Sequence, residues 1–492
     1  MAGIGFRLKK MLMEDTYASI LKAYLYSAVI SSGPWLLSIL CLSFLGILSP
    51  ILLQQHDWSV RDWDVFGTTI VYIFAWSLII TGLIAMLITR FVADQIYLGK
   101  DEVISSTYAA VIAMTIVVQG VIGLIFFSMA GTTPAYAISA TVLYIAVSCI
   151  WLASIFLSAS ENYNLITLLF LAGSVVSFAA ALLFGQYWGL TGFLNGYTLG
   201  QAAIFFSFSY VVFSEFGLPT HFHFDFFGYC RKYYELILIG VLYYVAIWAD
   251  KFIFWFSETG TQVQGLFYNF VEYDSPLFIA YITIVPALAI FLLNIETDFY
   301  GEYRVFYEHV MDKKPFSSIA ERRKNMQKVI KRSLFDLFKI QGLVTFLVIY
   351  FAPGVLEGAR IIGGHSVQIF RYAALGAFFH SYILIFTIIL LYYDLRRDTL
   401  IITGLFAILN IAFTFVSKSL GPEYYGSGYL ATCLITFVLG FYFLTKRLRQ
   451  LEYLTFTGQP ILGRLKDSPE LLARPGGGYG KYVDLNEART SA

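Results

Sequence analysis

The chain has 492 residues, 58% of them hydrophobic and 13% charged, with a net charge of +1 and a mean hydropathy of +0.70. A soluble domain carries nearer a quarter of its residues charged, so this composition excludes a soluble enzyme and points to a polytopic membrane protein. The near-neutral balance leaves no electrostatic footprint for nucleic acid.

The start of the chain, residues 1–22, has basic residues but no short apolar core with a cleavage site. It reads as a cytoplasmic amphipathic N-terminus rather than a removable signal peptide. A spanning helix needs about 20 mostly apolar residues. Twelve stretches qualify: roughly 23–48, 66–88, 104–130, 135–158, 165–187, 190–213, 235–256, 266–293, 335–356, 370–392, 400–417 and 427–445. They divide into a six-helix lobe over 23–213, a linker over 214–234 and a second lobe over 235–445. A basic insert over 294–332 interrupts the second lobe. Residues 446–492 read as a flexible tail.

Lysine and arginine set the orientation. With both termini cytoplasmic, Arg90/Lys100, Arg231/Lys232, the run Lys313–Arg332, Arg396/Arg397 and Lys446/Arg447/Arg449 all fall inside. Arg61, Arg360, Arg371 and Lys418 fall outside. That is the bias the positive-inside rule expects of a multi-pass membrane protein in this orientation.

The first span contains ISSGPWLLSIL. Pro34 follows Gly33 and removes a backbone donor, so Ser31–Trp35 should kink. Either a hinge on a solute path or a static kink satisfied by the serines fits that pattern. Pro276 and Pro286 predict similar breaks in the eighth span. The glycines at 185, 189, 192, 196 and 200 recur every three or four residues and predict close helix packing.

The stretch from Leu242 to Phe278 carries most of the candidate chemistry. Asp250, Lys251, Glu272 and Asp274 lie in or beside apolar spans, where each charge costs roughly 2.5 kcal/mol or more. Either they line a water-filled path for a solute or coupling ion, or Asp250 and Lys251 neutralise each other while Lys251 snorkels outward. Asn269, Glu272 and Ser275 are three apart and would share a helical stripe, with Asp274 facing another way. Trp248 and Tyr244 stand on the same path, and the 18% aromatic content either packs against lipid or offers rings on which sugars can stack. His380 is a hydrogen-bonded packing residue or a proton relay. Gln119, Asn195 and Asn410 read as helix-to-helix bonds.

Basic SIAERRKNMQKVIKR, with Arg322, Arg323, Lys324 and Lys328, reads as an amphipathic surface helix. It would lie near anionic headgroups or dock a cytoplasmic partner. The four cysteines Cys41, Cys149, Cys230 and Cys433 are scattered and read as packing residues, with no metal spacing. No ATPase, hydrolase or cofactor motif is present.

The chain also looks doubled. YWGLTGFLNGY from Tyr187 opens the sixth span and YYGSGYLATC from Tyr424 opens the twelfth. Repeated halves with a site between them are a common transporter plan.

GIGFRLKKML…AYLYSAVISSGPWLLSIL, WADKFIFWF and YDSPLFIAYITIVPALAIFLLNIETDFY resemble the Pel exopolysaccharide transporters (PelG), from Gly3 to about Thr445. The resemblance implies an all-α fold of twelve transmembrane helices in two six-helix lobes around a central cavity. It implies export of a Pel-type amino-sugar polysaccharide chain across the inner membrane, without a cofactor. It also implies a PelF-like glycosyltransferase and PelD-like and PelE-like membrane subunits as partners. An ion-coupled antiporter of small cations or drugs, a flippase of lipid-linked oligosaccharides and a non-transporting scaffold remain the alternatives.

Overall fold

A computed structural model describes residues 8, 11, 13, 16–52, 60–159, 163–358 and 364–457, without the side chains of 34, 35, 39, 47–52, 60, 61, 159 and 296. Most of the expected N-terminal segment, the tail beyond Thr457 and the side chain of Pro34 lie outside the described residues. The long helices are α1 (Tyr17–Leu52), α2 (Val60–Tyr97), α3 (Asp101–Met129), α4 (Pro134–Ala159) and α5 (Tyr163–Phe216). A short α6 (Phe226–Lys232) and α7 (Tyr234–Trp255) lead to a hairpin, β1 (Thr261–Gln264) and β2 (Phe267–Asn269). Then come α8 (Val271–Ile282), α9 (Val285–Asn294), α10 (Tyr300–Met311), α11 (Phe316–Tyr350), α12 (Ala352–Gly358), α13 (Ser366–Tyr392), α14 (Arg396–Leu420), α15 (Ser427–Arg449) and α16 (Leu451–Thr457).

Among the described residues ten helices are long and apolar enough to cross a bilayer, and the bent α1 makes an eleventh. One of the ten, α5, is two spans. Its 54 residues turn back at Trp188 and Gly189, the latter at φ 59°. A Cβ on Gly192 would lie 2.2 Å from the Phe184 carbonyl, one on Gly196 2.2 Å from that of Ala180, and one on Gly200 2.5 Å from that of Gly173. The two arms therefore run antiparallel at backbone contact, which only glycine permits. Twelve spans result.

The doubled motif is visible as geometry. Gly426 precedes α15 at φ 87°, as Gly189 precedes the second arm of α5. A Cβ on Gly428 would lie 2.4 Å from the Phe413 carbonyl, matching Gly192 against Phe184. A positive-φ glycine and a close approach of the next glycine to a carbonyl close each lobe, with ψ −143° at Gly189 and −19° at Gly426.

Helices α1–α5 pack on one another and form the N lobe; α7–α9 and α11–α15 form the C lobe. The lobes meet along α2 with α7 and where the first half of α1 meets α9. The first span bends by 71° between Tyr17–Gly33 and Leu36–Gly46, where the sequence places its kink.

Three expectations need correction. The eighth span starts at Val271, because residues before it form the β-hairpin; Asn269 ends β2 and shares no helical stripe with Glu272. The helix continues through Pro276 and breaks at Thr283–Ile284, ahead of Pro286. The carbonyl freed there is taken by Gln341 Nε2 of α11 at 2.8 Å, which makes the break tolerable inside a bundle. Finally, SIAERRKNMQKVIKR is no separate surface helix. It is the opening of α11, continuous with the ninth span.

Candidate functional site at the lobe boundary

Helix α7 is the centre of the site, and its two sides do different work. Tyr244, Trp248, Phe252 and Trp255 follow one another at helical spacing. Tyr244 packs over Gly82 of α2, Phe252 stacks on Trp76 at 5.4 Å, and Trp255 stacks on Tyr72 at 5.0 Å and 14°. Trp248 lies 6.3 Å from both Phe252 and Trp255. Its indole Nε1 is buried and unpartnered. A ladder of rings thus lines the boundary between the lobes.

On the flank of this face, α7 carries its charges into the C lobe. Asp250 is fully buried and Lys251 is 7% exposed. Lys251 Nζ donates to Asp250 Oδ1 at 3.2 Å and to the Ile247 carbonyl at 2.9 Å. Tyr273 of α8 donates its hydroxyl to Asp250 Oδ2 at 2.8 Å. The ammonium also sits 5.6 Å from the Trp248 ring centre and 5.2 Å from that of Tyr281. Lys251 therefore does not snorkel outward. It turns inward, where the carboxylate, a carbonyl and two ring faces offset its desolvation.

Asp274 is held by Trp255 Nε1 at 2.7 Å and by the Phe270 amide at 3.3 Å, while its Oδ1 has no partner. It links the ring ladder to the start of α8. Glu272, half-buried at the same helix end, accepts the His365 amide at 3.0 Å. Glu272 and Asn269 line a cleft of about 630 Å³ with Asp64, Gln262 and Phe270. So the structure brings Asp250, Lys251 and Trp248 together, puts Asp274 beside Trp255, and sets Glu272 and Asn269 apart at the hairpin end.

The hairpin spans the lobes. Tyr72 of α2 donates its hydroxyl to the Tyr268 carbonyl at 3.1 Å and accepts the Tyr268 amide at 3.2 Å. Asn269 Nδ2 donates to Thr68 at 3.2 Å, and Phe267 is fully buried beside Tyr72 and Phe126. At the opposite end, Tyr233 lies between cations of the two lobes. Arg90 of α2 is 5.5 Å from its ring centre and Arg396 of α14 is 4.7 Å. Arg396 also pairs with Glu235 at 3.3 Å.

Several of these residues carried no usable signal in the sequence. Tyr72, Tyr273 and Tyr281 are ordinary members of an aromatic-rich chain until the fold brings them to the charges. His380 bridges two hydroxyls, Tyr243 at 3.1 Å and Tyr429 at 2.8 Å, and Asn410 donates to the Ala246 carbonyl at 2.7 Å. Asn195, by contrast, is exposed. Cys41, Cys149 and Cys433 are buried free thiols. Of the four basic residues singled out on α11, Arg323 pairs with Glu452 at 3.0 Å and Arg322 approaches Glu302 at 3.8 Å, while Lys324 and Lys328 are exposed.

A sequence profile described as "PelG: Putative exopolysaccharide Exporter (EPS-E)" matches residues 1–456. The chain belongs to the PelG family. It is thus a multi-pass membrane protein of an exopolysaccharide exporter family and not an enzyme. No curated protein matches its sequence. Solved structures share its fold. One is a multidrug resistance MATE family transporter of the MOP superfamily in an outward-facing conformation, with a TM-score of 0.61 and 14% identity over 88% of this chain and 96% of that one. Another is a MOP superfamily transporter from Pyrococcus furiosus, with a TM-score of 0.59 and 16% identity over 87% and 96%. A third is a single-residue mutant of the Vibrio cholerae MATE transporter VcmN, with a TM-score of 0.62 and 13% identity over 87% and 98%. The PelG-family chain therefore has the two-lobe architecture of the MOP superfamily.

Proposed function

We propose that the chain carries a Pel-type amino-sugar polysaccharide from the cytoplasm to the periplasm between its two lobes. Both termini are cytoplasmic in this reading, and the membrane is the bacterial inner membrane. Family membership supplies the substrate class. The observation that carries the route is the half-buried rings Tyr244, Trp248 and Phe252 along the lobe boundary, with Trp255 buried behind them against Tyr72, because sugar faces stack on aromatic rings with little demand for sequence-specific contacts. The buried Asp250–Lys251 pair keeps α7 and α8 in register through Tyr273, so that the ladder moves with the C lobe as a unit. The bend in α1 beside Gly33 and Pro34 and the break ahead of Pro286 are where spans at the lobe contact can change direction. Glu272 and Asn269 stand at the hairpin-end exit, with Asp274 behind them on Trp255 and Pro276 within α8. A PelF-like glycosyltransferase would feed the chain from the basic end, with PelD-like and PelE-like subunits beside it.

The test is polymer secretion in a strain lacking its own copy. Trp248→Ala and Glu272→Ala should each lower secreted polymer several-fold at normal protein level. Normal secretion from both variants would remove the ladder and the exit from the route.

A further inference from the structure

We propose that α11 carries a binding stripe for anionic phospholipid headgroups, made by Lys324, Lys328 and Lys331. The inference rests on the chain being a membrane protein and not on what it exports.

The three lysines are spaced i, i+4 and i+7, so they share one side of the helix, and all three are exposed. The same side continues as Phe335, Phe338 and Phe346, which are 59%, 56% and 64% exposed. Exposed rings along a spanning helix face hydrocarbon. The switch from lysine to phenylalanine between 331 and 335 therefore marks where this side of α11 enters the bilayer.

Independent contacts put the lysines at headgroup level. Gln327 Nε2 donates to the Leu448 carbonyl at 2.6 Å, and Arg323 Nη1 to the Arg449 carbonyl at 2.9 Å. These are the last residues of α15, beside Lys446 and Arg447. Tyr393, at the end of α13, donates its hydroxyl to Met326 Sδ at 3.1 Å. Residues 323–327 of α11 are thus level with the end of α13 and the basic end of α15.

The next lysine along the helix agrees with that boundary. Lys339 folds back, with its ammonium 4.3 Å from the Phe335 ring centre and 3.7 Å from Asp336. That is the posture of a lysine reaching from apolar surroundings toward the interface.

Charge and access favour lipid over a protein partner. Asp336 is shared by Arg332 and Lys339, and Glu302 and Glu452 face Arg322 and Arg323. Glu321, exposed and three residues before Lys324, shares this face at its end farthest from Phe335, leaving one carboxylate against three lysines. The stripe is thus a positive surface continuous with a lipid-facing one, and its occupant arrives in the plane of the membrane.

The experiment uses the full chain in nanodiscs of phosphatidylcholine with a minor fraction of phosphatidylglycerol. Native mass spectrometry reads which lipids stay bound, and thermal unfolding is compared with discs of phosphatidylcholine alone. The wild type should retain phosphatidylglycerol above its bulk fraction. K324Q/K328Q/K331Q should cut that enrichment about tenfold or more, since each surface lysine contributes several-fold to anionic lipid binding. K313Q/K314Q, in the turn before α11, should leave it unchanged. Enrichment that is absent in the wild type, or unchanged in the triple variant, overturns the proposal. So does a triple variant that keeps its lipid but loses a co-expressed glycosyltransferase partner, which would assign the stripe to protein docking.

Discussion

Gly82 of α2 and Gly240 of α7 meet backbone to backbone across the lobe boundary. A Cβ on Gly240 would lie 2.2 Å from the Gly82 carbonyl oxygen, whereas one on Gly82 would meet the Tyr244 ring at 2.7 Å and the Gly240 carbonyl oxygen only at 3.1 Å. A ring edge can swing aside and a helix carbonyl cannot. Gly240→Ala should therefore force the helices apart and cost about 1–3 kcal/mol, while Gly82→Ala costs less. Thermal unfolding in one detergent ranks the two variants. Equal melting temperatures would mean that the crossing is looser than the structure has it.

Asp250 and Lys251 form a pair whose value depends on both members. Asp250→Asn strands an ammonium and Lys251→Met strands a carboxylate, each in a buried setting. Each single change should destabilise by about 3–5 kcal/mol. The double variant D250N/K251M removes both charges and should be closer to wild type than either single variant. Melting temperatures of the four proteins close the cycle, and additive losses would show that the two groups are not coupled.

The apolar runs made the spans legible, and the YWG and YYG motifs revealed the repeat, because both are local patterns. The turn at Gly189 and Gly426 needs no distant partner to be recognised. The hairpin was illegible for the opposite reason. Phe267–Asn269 reads as the start of a helix by composition, and it is a strand because Tyr72 and Thr68 on the other lobe hold its amide, carbonyl and side chain. The inward turn of Lys251 follows the same rule. Its neighbour Asp250 was visible, but Tyr281 and the Tyr273 hydroxyl that completes the pair lie on α8. Arg90, Tyr233 and Arg396 come from three separate segments, so no spacing rule joins them.

Tyr233 should act as a clasp at the basic end, since its ring contacts a guanidinium from each lobe. Tyr233→Phe keeps the ring and should leave the contact nearly intact. Tyr233→Ala removes the contacts with both guanidiniums, and with Lys232 at 5.2 Å from the same ring, each worth about 0.5–2 kcal/mol. Spin labels at Tyr97 on α2 and Arg397 on α14 report the separation of the lobes at this end. The Ala variant should lengthen or broaden the distance distribution and the Phe variant should not. Two variants with the same distribution would reduce Tyr233 to a packing residue.

The paired turns make the last prediction. Gly189 at φ 59° and Gly426 at φ 87° both hold a backbone conformation that side chains disfavour. Their surroundings differ. A Cβ on Gly189 would meet open space, while one on Gly426 would lie 3.3 Å from the Ile369 carbonyl. At ψ −143° Gly189 lies outside the left-handed well, in a region almost reserved for glycine, so Gly189→Ala should show the conformational cost alone, about 1–3 kcal/mol. Gly426, at ψ −19°, is in the left-handed region, and Gly426→Ala adds crowding against α13 to the smaller cost of that conformation. Asparagine separates the two backbones, because it tolerates the left-handed region better than alanine: Gly426→Asn should melt above Gly426→Ala, whereas Gly189→Asn should gain nothing over Gly189→Ala. If asparagine were no better than alanine at Gly426, crowding rather than backbone conformation would reserve that position for glycine.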